Sequence, residues 1–384
     1  MQRYLDGRAA ADLARKTVFL TGPRQVGKTS LSRLLMQGRD AQYLNYDVAA
    51  DRAVIERQSW LPHTSLLVLD EIHKMPSWKT WLKGVIDGKP ARQQLLVTGS
   101  ARMETFRQGG DSLAGRYFAL RLHPLSVREW CAHGPAELHG GHPPTPDEAL
   151  ARLLERGGFP EPMLDPDAVQ ADRWRHQYLD GLVREDVVEF SRIHEVTALR
   201  LFVDLLRERV GSPLSLASMA RDLAVSPPTL KRYLDILQAL FIVFTVQPWH
   251  RNIARAVLQQ PKVYFFDTGL VRGDDGVRFE NLVACHLLKH VQWQQDAFGR
   301  QCDLHYLRTK DGAEVDFALS DANGLSGLIE CKWADNTPHR ALQRFAGEFA
   351  GLPAVQVVRA LAQPEQRGAI EITPAAGWLA RLSA

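Results

Sequence analysis

The sequence predicts an α/β protein that opens with a doubly wound parallel sheet, continues through a helical region and a winged helix-turn-helix, and ends in another α/β domain. Short apolar runs alternate with helix-length stretches over the first 130 residues, helical patterns dominate the middle, and charged strands follow a long helix near the end. At 384 residues the chain is long enough for several domains. We place them at 1–130, 131–207, 208–260 and 261–384.

Composition limits the class of protein. Hydrophobic residues make up 45% and charged residues 24%, which is ordinary for a globular chain. The net charge of +3 is too small to require a nucleic-acid partner by itself. The four cysteines stand far apart, so we expect reduced thiols and a cytoplasmic protein. Nothing approaches the roughly 20 apolar residues that span a bilayer, so no membrane partner is expected.

The first strand, 17–21, leads into a glycine-rich loop and then a helix. Inward-turned amides of the loop and the N-terminus of the helix would hold phosphates. Lys28 would reach the β and γ phosphates, and the Thr29 hydroxyl would sit on Mg²⁺. The complete GxxxxGK[ST] pattern therefore predicts an ATP and Mg²⁺ site made by Gly22, Pro23, Arg24, Gln25, Val26, Gly27, Lys28, Thr29 and Ser30.

Two carboxylates follow another apolar strand, 65–69. Asp70 would hold Mg²⁺ through its water shell, and Glu71 would act as the general base for the water that attacks the γ-phosphate. Strands ending in acids are common, but one downstream of such a loop is typical of ATP hydrolysis. The remaining strands of the predicted sheet are 41–46, 94–98 and 117–120.

Two further residues are candidates for sensing or stabilising the γ-phosphate. Ser100 ends the strand that would lie between the loop strand and the acidic strand, with Thr98 behind it; the alternative is a turn-forming Gly-Ser pair. Arg116 could be an arginine finger, acting within the chain or across a homo-oligomer interface. A surface arginine is the alternative.

The middle of the chain is predicted to be a loop (131–146) and then mostly helix (147–207), in the position of a lid behind a nucleotide. Two short helices follow at 215–223 and from Pro227, the second capped by Ser226, and then strands at 241–246 and 263–266. This order is typical of a winged helix. It would either present Thr229, Lys231 and Arg232 to DNA, with Arg251 and Arg255 in the wing, or serve only as a packing module.

The last domain carries a possible second metal site. A helix (277–291) contains Glu280, and strands at 304–308, 313–319 and 327–333 precede a helix (339–349) and a strand (354–359). Because strand side chains alternate, Glu330 and Lys332 share one face, and Asp316 on the neighbouring strand can converge with them. Carboxylates on adjacent strands could bind Mg²⁺, with the lysine orienting a water.

Two alternatives accompany that site. Glu330 and Lys332 could be a cross-strand pair on a solvated face, although apolar neighbours make the strand look buried. His286 and His290, four residues apart on the helix, could chelate a metal, but a solvated face is the favoured interpretation.

Taken together, these stretches resemble the bacterial and archaeal AAA-type ATPases whose C-terminal domain of uncharacterised function bears the PD-(D/E)XK nuclease pattern. The marks of the resemblance cover nearly the whole chain: GPRQVGKT, LLVLDEIHK, LLVTGSAR, LAGRYFALRLHPLSVREW, GGFPEP, KVYFFDTGL, RFENLVACHLL, and AEVDF with LIECK. The resemblance implies ATP hydrolysis through Lys28, Thr29, Asp70 and Glu71. It also implies a restriction-endonuclease-like fold with Glu280, Asp316, Glu330 and Lys332 at the nuclease positions.

We therefore predict an ATP-hydrolysing protein coupled to a nuclease-like domain that associates with nucleic acid, with DNA the favoured partner. One alternative is an ATP-driven switch whose last domain binds nucleic acid or a protein without cleaving. Another is an ATP-responsive transcriptional regulator, against which Glu71 argues because a pure binder needs no water-positioning acid.

Overall fold

The computed structural model describes residues 1–99, 113–182, 196–250 and 260–384. They form two compact units, Met1–His123 and Pro124–Ala384. Ser100, Arg251 and Arg255 lie outside the described residues. Among the helices in the described ranges, none has both the length and the apolar character needed to cross a bilayer.

The first unit is built on a five-stranded parallel sheet, as predicted. Its strands are β1 (Thr17–Thr21), β2 (Ala41–Asn45), β3 (Leu66–Asp70), β4 (Gln94–Thr98) and β5 (Tyr117–Arg121). They lie in the order β2-β3-β4-β1-β5, with every neighbouring pair parallel. Strands β1 and β3 are buried along their whole length, which explains their unbroken apolar sequences. The predicted extra strand, β4, separates the strand before the loop from the strand that carries Asp70.

In the described residues of this unit, four α-helices accompany the sheet: α1 (Asp6–Leu13), α2 (Lys28–Met36), α3 (Ala49–Arg57) and α4 (Trp78–Gly88). On one side of the sheet, Phe19, Leu67 and Val97 belong to an apolar cluster with Trp78 and Leu82 of α4. Burial of these side chains holds the strand ends in register. The polar residues that follow β1 and β3 are thereby fixed at one edge of the sheet.

The second unit begins with helices α5 (Val127–His133), α6 (Pro146–Arg156), α7 (Pro160–Leu164), α8 (Ala168–Gly181) and α9 (Val196–Arg207). The helical prediction for 147–207 is confirmed within the described residues. The loop prediction for 131–146 is wrong in part, because α5 extends to His133 and a 3₁₀ turn covers Ala136–His139. A capping box on Ser126 starts α5, and this signal lies before the Gly- and Pro-rich run that suggested a loop.

Helices α10 (Leu216–Asp222) and α11 (Pro227–Ala239) precede strands β6 (Val243–Pro248) and β7 (Lys262–Phe265). Ser226 caps α11 by accepting a hydrogen bond from the Thr229 amide, as predicted. Strands β6 and β7 are antiparallel partners, and β6 also pairs with β8 (Cys302–Arg308). The predicted boundary after residue 260 thus falls between two strands of one sheet.

The rest of the unit completes an eight-stranded sheet in the order β12-β13-β11-β10-β9-β8-β6-β7. Its further elements are α12 (Asp275–Phe298), β9 (Glu314–Asp321), β10 (Gly324–Lys332), α13 (Arg340–Glu348), β11 (Ala354–Val358), β12 (Glu365–Arg367), β13 (Ile370–Pro374) and α14 (Ala375–Ala380). Leu342 and Phe345 of α13 pack against Val315 of β9 and Leu328 of β10. That packing holds β9 and β10 side by side, with Asp316 and Glu330 on them.

Candidate functional site

The glycine-rich loop after β1 depends on two glycines. A Cβ atom at Gly22, where φ is +147°, would lie 2.3 Å from the backbone oxygen of Leu122. Gly27, with φ of +103°, is the N-cap of α2. Side chains at these positions would clash or strain the backbone, so the loop can take this shape only with glycine there.

Lys28 lies inside the loop. Its Nζ donates to the backbone oxygens of Gly22 (2.9 Å) and Pro23 (2.7 Å), and the residue is 9% exposed. Burial lowers the pKa of Lys28 to about 8, against the opposing effect of Glu71 and Asp70. A bound anion would offset the cost of burying the charged form of Lys28. The position of the Lys28 ammonium inside the loop therefore favours phosphate binding.

Each oxygen of the Asp70 carboxylate accepts a hydrogen bond from a different strand. The hydroxyl of Thr98, its partner on β4, donates to Oδ1, and the hydroxyl of Tyr43 on β2 donates to Oδ2. Burial and Asp70 raise the pKa of Tyr43, and the neighbouring Thr29 side chain opposes them. One carboxylate and one hydroxyl held close together are a ligand set that suits Mg²⁺, so the residues present fit the predicted cofactor.

Tyr43 was missed by the sequence reasoning. Nothing in the local pattern of β2 distinguishes it from any other half-buried strand tyrosine. The pairing of β2 with β3 brings it to Asp70.

Glu71 follows Asp70 in a left-handed backbone conformation, with φ of +55°. Burial, followed by the charge of Asp70, raises the pKa of Glu71 to about 6. Its Oε2 is buried without a hydrogen bond among the described residues, 3.5 Å from Nε2 of His73. A carboxylate with a raised pKa and a free acceptor oxygen suits general-base chemistry.

The two candidates for γ-phosphate contacts have different outcomes. Ser100 lies outside the described residues, and Thr98, proposed behind it, is engaged with Asp70. Arg116 donates from Nε to Oδ1 of Asp87 on α4 at 2.9 Å, and both side chains are partly exposed. This partly exposed ion pair is compatible with the surface-arginine alternative. It is equally compatible with an arginine finger that is not in contact with a phosphate.

In the second unit the predicted acidic residues converge, and a buried lysine lies among them. Lys262, the first residue of β7, is 1% exposed. Its Nζ lies 2.8 Å from Oε1 of Glu314, 3.4 Å from Oε1 of Glu280 and 3.6 Å from Oδ1 of Asp316. Sequence reasoning missed Lys262, although a lysine opening the apolar run Val263–Phe265 was an available signal.

Glu330 is held by other partners. Lys332 Nζ lies 2.7 Å and His339 Nδ1 2.9 Å from its Oε1, and the Asp316 amide donates to its Oε2 at 3.3 Å. The Glu330 side chain is 2% exposed, so the solvated-face alternative is wrong for it. Burial opposes its charge, but the bonds from His339 and Lys332 outweigh burial, and the pKa of Glu330 is lowered.

Asp316 behaves differently from Glu330. Burial, and then the charges of Glu280 and Glu330, raise its pKa well above the ordinary range. For Lys262, burial opposes the charge, but Glu280, Asp316 and Glu314 outweigh it and raise the pKa of the ammonium. Lys262 therefore remains charged among the three carboxylates that surround it.

The carboxylates do not fit a metal as they are arranged here. In the described part of the chain, no group of three or more His, Cys, Asp or Glu residues is placed to hold a metal ion. The predicted ligands Glu280 and Asp316 face the ammonium of Lys262 instead, and Glu330 faces Lys332 and His339. The predicted Mg²⁺ site of Glu280, Asp316 and Glu330 is therefore not formed in this arrangement.

The solvated-face interpretation is also wrong for His286, which is 3% exposed. Its Nε2 accepts from the Val127 amide at 3.0 Å, and its Nδ1 donates to the Leu282 carbonyl at 2.8 Å. His290 is partly buried and bonds to Ser383. Both rings are structural, and periodicity alone did not reveal that α5 and the C-terminal residues cover this face of α12.

Comparison with known families divides the chain into three matched segments. Residues 14–131 match the family described as "AAA domain". Residues 147–277 and 275–375 match two families described as "Domain of unknown function", DUF8612 and DUF4143 respectively. The last of these includes the carboxylates of the second unit but carries no assigned chemistry.

Relatives of this chain include two proteins that are described only as uncharacterised. A protein of Mycobacterium tuberculosis is 30% identical over 310 residues, which is 78% of this chain and 66% of the relative, just under two thirds of its length. A Methanocaldococcus jannaschii protein is 22% identical over 68% of this chain and 60% of its own.

The solved structures matched to this chain are similar to it at low sequence identity. The Walker-type ATPase of Pyrococcus abyssi is 15% identical, with 71% of this chain and 94% of that chain covered and a TM-score of 0.45. The Thermotoga maritima RuvB Holliday junction branch migration motor is 17% identical, with 64% and 89% covered and a TM-score of 0.34.

Proposed function

We propose that this protein binds ATP with Mg²⁺ and hydrolyses it, because residues 14–131 match the family described as "AAA domain". The observation that carries the proposal is the arrangement at the edge of the parallel sheet. Lys28 lies inside the glycine loop, Asp70 is held by donors from two neighbouring strands, and Glu71 keeps a buried acceptor oxygen. A site that only bound nucleotide would not need Glu71.

In this proposal the backbone N–H groups of the loop from Gly22 to Ser30, except at Pro23, which has none, and the ammonium of Lys28 bind the β and γ phosphates. Thr29 and Asp70 would hold Mg²⁺, which when bound neutralises charge on the phosphate oxygens. Glu71 accepts the proton of the attacking water as its oxygen bonds to the γ-phosphorus and the bond to ADP breaks. Ser100 and Arg116 remain proposals for stabilising the charge on the transferred group.

The test is ATP turnover by wild type, Lys28→Ala and Glu71→Gln. We expect Lys28→Ala to weaken ATP binding, and Glu71→Gln to keep binding while turnover falls by about 100-fold or more. Lys16→Ala, which removes an exposed lysine of the same unit, is the matched control. Turnover that is equal in wild type and Lys28→Ala would remove this site from the account.

For the second unit we propose contact with nucleic acid without cleavage. Support comes from α10 and α11 followed by the antiparallel β6 and β7, the order of a winged helix, and from the acidic strands β9 and β10 of a nuclease-like domain. The observation against cleavage is the engagement of Glu280 and Asp316 by Lys262. Nucleotide turnover in the first unit would then control this contact.

The partner and the chemistry can be tested separately. Binding of single- and double-stranded DNA and RNA is measured with and without ATP, for wild type, Arg232→Ala and the exposed-lysine control Lys310→Ala. Weaker binding by Arg232→Ala alone would support the winged-helix surface. Cleavage by wild type with Mg²⁺ or Mn²⁺ that disappears in both Asp316→Ala and Lys332→Ala would favour the nuclease instead, whereas cleavage that persists in both indicates a contaminant.

A further inference from the structure

The lysine at the centre of the acidic cluster accounts for the charge balance of the second unit. An ammonium that is 1% exposed is tolerated only where opposite charges surround it. Lys262 meets this condition, because three carboxylates from α12 and β9 lie within 3.6 Å of its Nζ. These carboxylates in turn need a cation, because three like charges so close together would repel one another.

Other protein groups complete the hydrogen bonds of the carboxylates that surround Lys262. Tyr264, on the same strand, donates to Oε1 of Glu280 at 2.7 Å. The Cys331 amide donates to Oδ2 of Asp316 at 2.9 Å. A Cβ atom at Gly211 would lie 2.8 Å from the Glu280 carboxylate, so the backbone itself covers that side. Both carboxylates are thus satisfied by protein donors.

We propose that Lys262 is a built-in cation that takes the place of a divalent metal in the cluster of Glu280, Glu314 and Asp316. A metal ion and an ammonium cannot occupy the same centre, because at such distances their like charges repel strongly. The cluster is therefore assembled by the chain alone. This inference rests on the proposed role without cleavage, but its test reads metal binding directly.

Removal of the ammonium should turn the cluster into a metal site. In Lys262→Met the three carboxylates keep their positions on α12 and β9; Glu280 and Asp316 lose their cation, whereas Glu314 keeps its bond to the exposed Arg308 at 2.9 Å. Oxygen ligands of this kind and number bind Mn²⁺ and Mg²⁺. We expect the variant to be less stable than wild type without metal and to be stabilised by it, because metal that binds only the folded state shifts unfolding.

The experiment titrates nucleotide-free full-length protein with Mn²⁺, following free Mn²⁺ by electron paramagnetic resonance and unfolding by thermal melting. All proteins carry Asp70→Asn, so that the first unit contributes no metal site. We expect at least about tenfold tighter Mn²⁺ binding by Lys262→Met than by the parent, with a Tm that rises with Mn²⁺ only in that variant. Lys310→Met, which removes an exposed lysine of the same unit, should behave like the parent.

Two results would overturn the inference. One is Mn²⁺ binding by the parent that Asp316→Asn abolishes, and this remains decisive if Lys262→Met fails to fold. The other is a folded Lys262→Met that binds Mn²⁺ no better than the parent. Absence of nucleic-acid binding would remove the proposed function and leave this inference standing, so the two failures are distinguishable.

Discussion

The hydroxyl of Tyr43 is predicted to position the Asp70 carboxylate, which we propose as a ligand of Mg²⁺. It donates to Oδ2 of Asp70 and lies beside the Thr29 side chain, so it is next to both proposed ligands. Burial, and then the bond to Asp70, raise the pKa of Tyr43, so the phenol stays protonated and remains a donor. Tyr43→Phe removes this donor and keeps the ring.

The magnitude follows from the type of bond. A hydrogen bond to a charged acceptor contributes about 1.5 to 3 kcal/mol, and water can replace part of it at a half-buried position. We take the low end, about 1.5 kcal/mol, which corresponds to roughly tenfold in a binding constant. The Mg²⁺ concentration for half-maximal ATP turnover should therefore rise about tenfold in Tyr43→Phe.

Tyr46 provides a matched control three positions further along the chain. Its hydroxyl donates to Oε1 of Glu56 at 3.1 Å, so Tyr46→Phe deletes the same atom away from Asp70. Turnover is measured across a Mg²⁺ titration at saturating ATP, and ATP binding is measured separately without Mg²⁺. Tyr46→Phe should stay within about twofold of wild type. An unchanged Mg²⁺ dependence in Tyr43→Phe, or an equal rise in Tyr46→Phe, would refute the reasoning.

Two further predictions concern stability. Lys289 and Glu129 form a buried pair, 2% and 3% exposed, so Lys289→Met should lower the free energy of unfolding by about 3 to 5 kcal/mol. Lys231→Met, which breaks an exposed pair, should cost at most about 1 kcal/mol in denaturant titrations, and similar losses would contradict the burial argument. Burial lowers the pKa of His286 to about 4, with Lys289 opposing and Glu129 favouring its charge, so the unfolded state binds the extra proton. Stability should be fully present above about pH 6.5 and fall by about 3 kcal/mol as the pH drops to about 4, and His286→Leu should flatten this slope.

Much of the architecture could be predicted because its causes are local. The unbroken apolar sequence of β3 reflects burial on both faces of that strand. The glycines of the loop from Gly22 to Thr29 reflect backbone conformations with positive φ. The same holds for the cap of α11 at Ser226, which needs only an amide three residues away. The loop prediction for 131–146 failed in part because the capping box that starts α5 lies at Ser126, before the predicted loop.

The parallel sheet, the glycine-rich loop and the placement of Asp70 and Glu71 at the end of a strand are all readable from the sequence. Which side chains complete each site depends on contacts between elements that are far apart in the chain. The pairing of β2 with β3 brings Tyr43 to Asp70. In the second sheet, Lys262 on β7 lies close to Asp316 on β9. Whether a carboxylate faces water, a metal or a lysine depends on residues distant along the chain, because burial and charge pairing are properties of the assembled neighbourhood.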